Sequence, residues 1–145
     1  MLKISEFGGL SRLGELRHIY SGKNILLVTG KDSFATSGAK KNIDNQLQAE
    51  TVFQFSDFSA NPKLEDAVNG AELARSAKID VIIAVGGGSV IDTAKLIKAF
   101  YLSEGNEIDL VTGMTDITDP SIPLLAIPTT AGSGSEATHF AVVYV

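Results

Sequence analysis

Apolar positions along this chain follow two alternating patterns: short continuous runs that stop at glycine or turn residues, and longer stretches with helical spacing. Asn24-Ile25-Leu26-Leu27-Val28-Thr29 is a continuous run ending at Gly30, as a parallel strand buried on both faces reads. Residues 33–48 carry Phe34, Ile43 and Leu47 on one side of a predicted helix, with Gly38 weakening its middle. Thr51-Val52-Phe53-Gln54-Phe55 is rich in β-formers and predicts a second strand. Leu64, Ala67, Val68 and Ala71 recur at helical spacing after Asn61-Pro62, a pair that suits an N-cap and first helical position. Val81-Ile82-Ile83-Ala84-Val85 is the clearest buried strand, and it runs into Gly86-Gly87-Gly88. A helix follows, with Val90, Ile91, Ala94, Ile97 and Tyr101 on one face.

Beyond that helix, residues 103–121 are polar and turn-rich, which predicts a long loop. Residues 122–127 predict another strand, interrupted by Pro123 and ended by Pro128. The first twenty residues predict a short strand near Leu2–Phe7 and a helix over Leu10–Tyr20. Alternation of strand and helix points to an α/β fold, a Rossmann-like parallel sheet with helices on both faces.

Composition narrows the function. The chain has 145 residues, 44% of them hydrophobic and 20% charged, enough for one domain with a sizeable core. Seventeen acidic residues against twelve basic give a net charge of −5, which argues against nucleic acid as a partner. Cysteine is absent, so disulfides, thiolate metal sites and thiol nucleophiles are excluded. No signal segment or membrane-length apolar run is visible, which predicts a cytoplasmic protein with no membrane partner. The last six residues, Phe140-Ala141-Val142-Val143-Tyr144-Val145, are β-rich with no turn residue or polar tail. Chain ends usually lie in polar segments, so residues 1–145 are expected to be a domain truncated at its C-terminal end. Such an apolar last strand also offers an edge for homodimerisation.

In parallel sheets of this kind ligands bind beyond the carboxyl ends of the strands, and three strand ends stand out. Gly86-Gly87-Gly88-Ser89 lets the backbone turn sharply and approach a ligand, and the helix behind it supplies free N–H groups and a positive dipole end. That is an anion site in physical terms. It matches neither G-x-G-x-x-G after the first strand nor a Walker-type loop. Pro128-Thr129-Thr130-Ala131-Gly132-Ser133-Gly134-Ser135-Glu136 brings four hydroxyls and two glycines, neutral donors for a ribose or pyrophosphate. Asp92, in the first turn after the glycines, has two open readings. It complements the helix dipole, or it accepts hydrogen bonds from a ligand beside the phosphate site, with Lys95 one turn on balancing its charge. Asn61 is first an N-cap, although its place at a strand end would let its amide face a nucleotide. His18 and His139 stand alone, without metal-ligand spacing or a nucleophile beside them. The segment therefore offers cofactor binding rather than catalytic or metal-ligating side chains.

Gly86-Gly87-Gly88-Ser89-Val90-Ile91-Asp92-Thr93-Ala94-Lys95, taken with the loop Pro128–Glu136, strongly resembles the iron-containing (group III) alcohol dehydrogenase family over essentially the whole chain. The resemblance implies the N-terminal dinucleotide-binding domain of a protein about twice this length or more. The family's all-helical C-terminal domain, which carries one Asp and three His ligands for Fe2+ or Zn2+, is absent from this segment. By motif, Gly87, Gly88 and Ser89 would hold the pyrophosphate and Asp92 would help fix the nicotinamide end. Thr129, Thr130 and Ser133 would line the cofactor, with Asn61 and Phe140 as weaker matches.

The implied activity is that of an NAD(P)-dependent alcohol dehydrogenase or aldehyde reductase acting on a small alcohol or aldehyde. A metal would polarise the substrate oxygen while hydride passes to or from nicotinamide; this segment alone would be inactive. A glycerol-dehydrogenase-like or dehydroquinate-synthase-like enzyme, or a free-standing nucleotide-binding module, is the alternative. Many NAD-using members place an acid directly after the first long strand. Here Gly30 stands there, followed by Lys31, Asp32 and Ser33. Glycine with lysine and serine suits a 2′-phosphate, which tips the expectation slightly to NADP, while Asp32 could restore NAD.

Overall fold

The computed structural model describes residues 6–7, 10–36, 38–58, 61, 63–103, 105, 107–116, 120 and 122–129, with only the backbone described at 6–7, 10–12 and 33. Five strands form one parallel sheet: β1 (Glu6–Phe7), β2 (Asn24–Thr29), β3 (Thr51–Phe55), β4 (Val81–Gly86) and β5 (Leu124–Pro128). Their spatial order is β1-β5-β4-β2-β3. In register, Val28 lies beside Phe55, Thr29 beside Val85 and Gly86 beside Pro128.

The continuous apolar runs are explained by burial on both faces. Leu26, Val28, Ile82, Ala84, Leu124 and Ala126 point into one core, against Ala74 of α4 (Leu64–Ser76) and Val90, Ile91, Ala94 and Ile97 of α5 (Gly88–Phe100). Ile25, Leu27, Val81, Ile83, Val85, Leu125 and Ile127 point into the other. There they meet Leu13, Tyr20, Phe34, Ala39, Ile43 and Leu47. These come from a 3-10 segment (Leu10–Leu16), α1 (Arg17–Tyr20), α2 (Ser33–Thr36) and α3 (Ala39–Leu47). Buried Tyr20 donates its hydroxyl to the Leu13 carbonyl at 3.2 Å, and burial raises its pKa above the ordinary phenol value, so it stays a donor.

Local departures from the sequence pattern have identifiable causes. The helix expected over 33–48 is two helices, because Gly38 adopts φ +81° between them. The expected helix at Leu10–Tyr20 begins as the tighter 3-10 form and widens to α only at Arg17. Asn61 is not the N-cap of α4: that position is Lys63, whose N–H donates to the Asp66 carboxylate at 3.1 Å. Within the expected loop 103–121 a short helix, α6 (Glu107–Val111), seats Leu110 among Ala67, Ala71, Leu96, Ala99 and Phe100. That third cluster, on the far side of α5 from the sheet, buries residues that the one-faced helix pattern left to solvent.

The C-terminal end of α4 closes with a Schellman motif, in which Lys78 N donates to Arg75 O and Ile79 N to Ala74 O. Lys78 is held at φ +51° there, a left-handed conformation that glycine adopts without cost. Lys78→Gly is expected to stabilise the protein by about 0.5–1 kcal/mol, read as a higher urea midpoint at unchanged slope. Packing between α4 and α5 is tight enough to exclude a methyl group. A Cβ on Gly70 would lie 2.4 Å from Ile97 Cδ1 and 3.0 Å from Phe55 Cε1. Ile97 is itself fully buried, so Gly70→Ala is expected to cost about 1–3 kcal/mol in the same measurement.

Candidate functional site

The sheet order fixes where a ligand could sit. From β2 the chain passes by α2 and α3 to β3 on one side, and then by α4 to β4 on the other. The crevice beyond the carboxyl ends of β2 and β4 is therefore a topological switch point. Gly30 leaves β2 on this rim, Gly87 and Gly88 leave β4, and Thr129 leaves β5. Thr129 N donates to Gly86 O at 2.9 Å, which holds the start of the hydroxyl-rich loop against the glycine turn.

Three glycines in a row serve different needs. A Cβ on Gly86 would lie 2.6 Å from Val90 Cγ2 and 2.8 Å from Val90 Cβ, so the first glycine lets α5 fold back against its own strand. Gly87 is the N-cap residue of α5 and has no side chain with which to cap it. The first-turn N–H groups at Gly88, Ser89 and Val90 have no intrahelical acceptor by the geometry of a helix start. All three glycine-turn residues named by the sequence, Gly87, Gly88 and Ser89, are partly exposed on this rim. Thr93 turns its hydroxyl inward, donating to Ser89 O at 2.7 Å.

Asp92 lies one turn into α5, just past the first turn in which the sequence pattern placed it. Its side chain is 15% exposed, and Oδ1 is buried with no hydrogen-bond partner among the described residues. The Lys95 ammonium is 3.8 Å away, an ion-pair distance too long for a hydrogen bond, and that side chain is only 3% exposed. A buried carboxylate oxygen left unpaired is costly. Such an oxygen beside an uncapped helix start fits a ligand that brings a hydrogen-bond donor together with an anion. A dinucleotide does so.

The second half of the site lies over β2 and β3. Lys31 Nζ is 3.3 Å from Asp57 Oδ1, with side chains 57% and 93% exposed. Behind them Thr29, fully buried, accepts a hydrogen bond from Gln54 Nε2 at 3.0 Å, which ties the two strand ends together. Asp32 is exposed next to Lys31, and Ser33 opens α2 with only its backbone described. Asn61 is exposed and follows β3, the edge strand. Thr130, Ser133 and Phe140 lie outside the described residues, as does the apolar last strand expected to offer a dimer edge. Asp57 was not among the residues the sequence singled out; its signal is an acid two positions past a β-rich run.

Among the described residues no three His, Cys, Asp or Glu side chains gather closely enough to hold a metal ion, and no helix is long and apolar enough to cross a membrane.

Known proteins match this chain over nearly its whole length. The family model for iron-containing alcohol dehydrogenase matches residues 4–145. A 4-hydroxybutyrate dehydrogenase from Cupriavidus necator is 36% identical over 141 residues, 95% of this chain and 37% of that protein. A probable NADH-dependent butanol dehydrogenase from Bacillus subtilis is 35% identical over 138 residues, 94% of this chain and 35% of the relative. Sulfoacetaldehyde reductase from Bifidobacterium kashiwanohense, solved in complex with NAD+, superposes with a TM-score of 0.75 at 28% identity, covering 95% of this chain and 37% of that one. The chain thus spans little more than a third of the length of these relatives.

Proposed function

Because the chain belongs to the iron-containing alcohol dehydrogenase family, we propose that residues 1–145 are the dinucleotide-binding domain of an NAD(P)-dependent alcohol dehydrogenase or aldehyde reductase. The observation that carries this reading is the uncapped start of α5 at the switch point, with Asp92 Oδ1, which has no hydrogen bond among the described residues, one turn behind it. Gly87, Gly88 and Ser89 would hold the pyrophosphate through backbone N–H groups and the helix dipole. Asp92 would accept a hydrogen bond from the nicotinamide end. Thr129, Thr130 and Ser133 would supply hydroxyls along the second loop, and Phe140 an apolar contact. Gly30, Lys31, Asp32 and Ser33 would bound the adenosine side, with Asn61 beyond them.

Bound nicotinamide supplies the hydride acceptor or donor that no side chain can provide. The part played by this chain is to position the cofactor and to neutralise its phosphates. The described residues do not fit the family's metal, whether Fe2+ or Zn2+. A small alcohol or aldehyde is the substrate class, in keeping with the relatives named for hydroxybutyrate, butanol and sulfoacetaldehyde. A cytoplasmic location belongs to the same proposal. The slight expectation of NADP is set aside in favour of NAD(H), since one relative is named for NADH and another was solved with NAD+.

Calorimetric titration of the protein with NADH is the test. Saturable, one-to-one binding that weakens as salt rises is expected, because the pyrophosphate contact is electrostatic. Failure of both NADH and NADPH to bind would overturn the reading.

A further inference from the structure

Gly30 removes the side chain that would face an adenosine ribose from the end of β2, yet the same rim carries charge. Lys31, Asp32 and Asp57 bring one positive and two negative side chains to the adjoining ends of β2 and β3. Lys31, the natural ligand for a 2′-phosphate, is held 3.3 Å from the Asp57 carboxylate. We propose that Asp57, acting through this pair, selects NAD(H) against NADP(H). The inference rests on the dinucleotide reading above and adds a specificity residue from a strand end that neither Gly30 nor the glycine turn supplies.

The physical argument is electrostatic. A 2′-phosphate carries about −1.5 to −2 charges at neutral pH. With Lys31 paired to Asp57, the three side chains leave a net charge of −1, which the phosphate would meet. A ribose 2′-hydroxyl is a donor, and a carboxylate accepts it through a charge-assisted bond. Asp57 therefore acts by occupying the Lys31 cation, which leaves the local balance negative. Loss of Asp57 releases Lys31 for the phosphate, so a single substitution should move both affinities in opposite directions. Because both side chains are largely exposed, solvent and salt screen the effect, and the expected size is roughly tenfold rather than thousandfold.

The test is titration of the full chain with NADH and with NADPH for the wild type, Asp57→Asn, Lys31→Ala and the double variant, at low and high salt. Circular dichroism confirms folding, which the exposure of both residues makes safe. Wild type is expected to bind NADH more tightly than NADPH. Asp57→Asn should shift the ratio of the two affinities toward NADPH by roughly tenfold, and removal of Lys31 in the double variant should cancel the gain in NADPH affinity. A ratio that Asp57→Asn leaves unchanged, or a wild type that already prefers NADPH, would overturn the selector while leaving the dinucleotide reading standing. Absence of binding by either cofactor would overturn both.

Discussion

Replacing Gly86 by alanine is expected to lower dinucleotide affinity by about 10- to 150-fold, the loss of one charge-assisted hydrogen bond of about 1.5–3 kcal/mol. The new Cβ would sit 2.6 Å from Val90 Cγ2 and 2.8 Å from Val90 Cβ. Val90 is a β-branched residue with one favoured rotamer in a helix, and it is 4% exposed, so it cannot rotate away. The first turn of α5 must therefore shift, and the N–H groups at Gly88, Ser89 and Val90 would no longer converge on one anion. Strain at the end of the central strand should also cost about 1–3 kcal/mol of stability. Titration with NADH and urea denaturation of the same variant separate the two effects. Unchanged affinity in a folded Gly86→Ala protein would show that the glycine turn serves packing alone.

Asp92→Asn is the second large effect, and it decides between the two readings that the sequence left open. If the carboxylate accepts a hydrogen bond from the cofactor, its loss should weaken binding by about 10- to 100-fold, the worth of a bond to a charged group. If Asp92 serves only the helix dipole, stability should change by about 0.3–1 kcal/mol and affinity should not move. The geometry favours the first, because Oδ1 is buried without a hydrogen bond among the described residues and Lys95 stands 3.8 Å off. Asparagine keeps the shape and one acceptor, so the fold survives the change. Lys95 has further interactions of its own and is 2% exposed. Removing a partner of a buried charge is nonetheless destabilising, and the variant's urea midpoint should fall modestly alongside its affinity.

The glycine turn and Asp92 were legible in the sequence because both are local. A strand that runs into three glycines and a helix announces an uncapped helix start without any tertiary information. Lys31 was legible too, but its meaning was not. Read alone, it invites a 2′-phosphate; paired with Asp57, twenty-six residues away in the chain, it argues against one. The helix start after β3 was misjudged at Asn61 because the Asn-Pro signal is stronger as a pattern than Lys63, whose backbone the side chain of Asp66 caps from within the helix.

By itself the sequence determined the strands, the helices around them and the glycine-rich strand end. Hydrophobic periodicity and turn chemistry act over a few residues, and short continuous apolar runs bounded by turn residues suit strands of a parallel sheet covered on both faces. Only the tertiary structure decided the order β1-β5-β4-β2-β3 and hence the crevice between β2 and β4. It also decided the burial of most of α5 between the sheet and the cluster around Leu110, the placement of Asp92 Oδ1 without a hydrogen bond among the described residues and the pairing of Lys31 with Asp57. Each depends on which distant segments pack side by side, and that is set by the joint burial of both sheet faces rather than by any local preference.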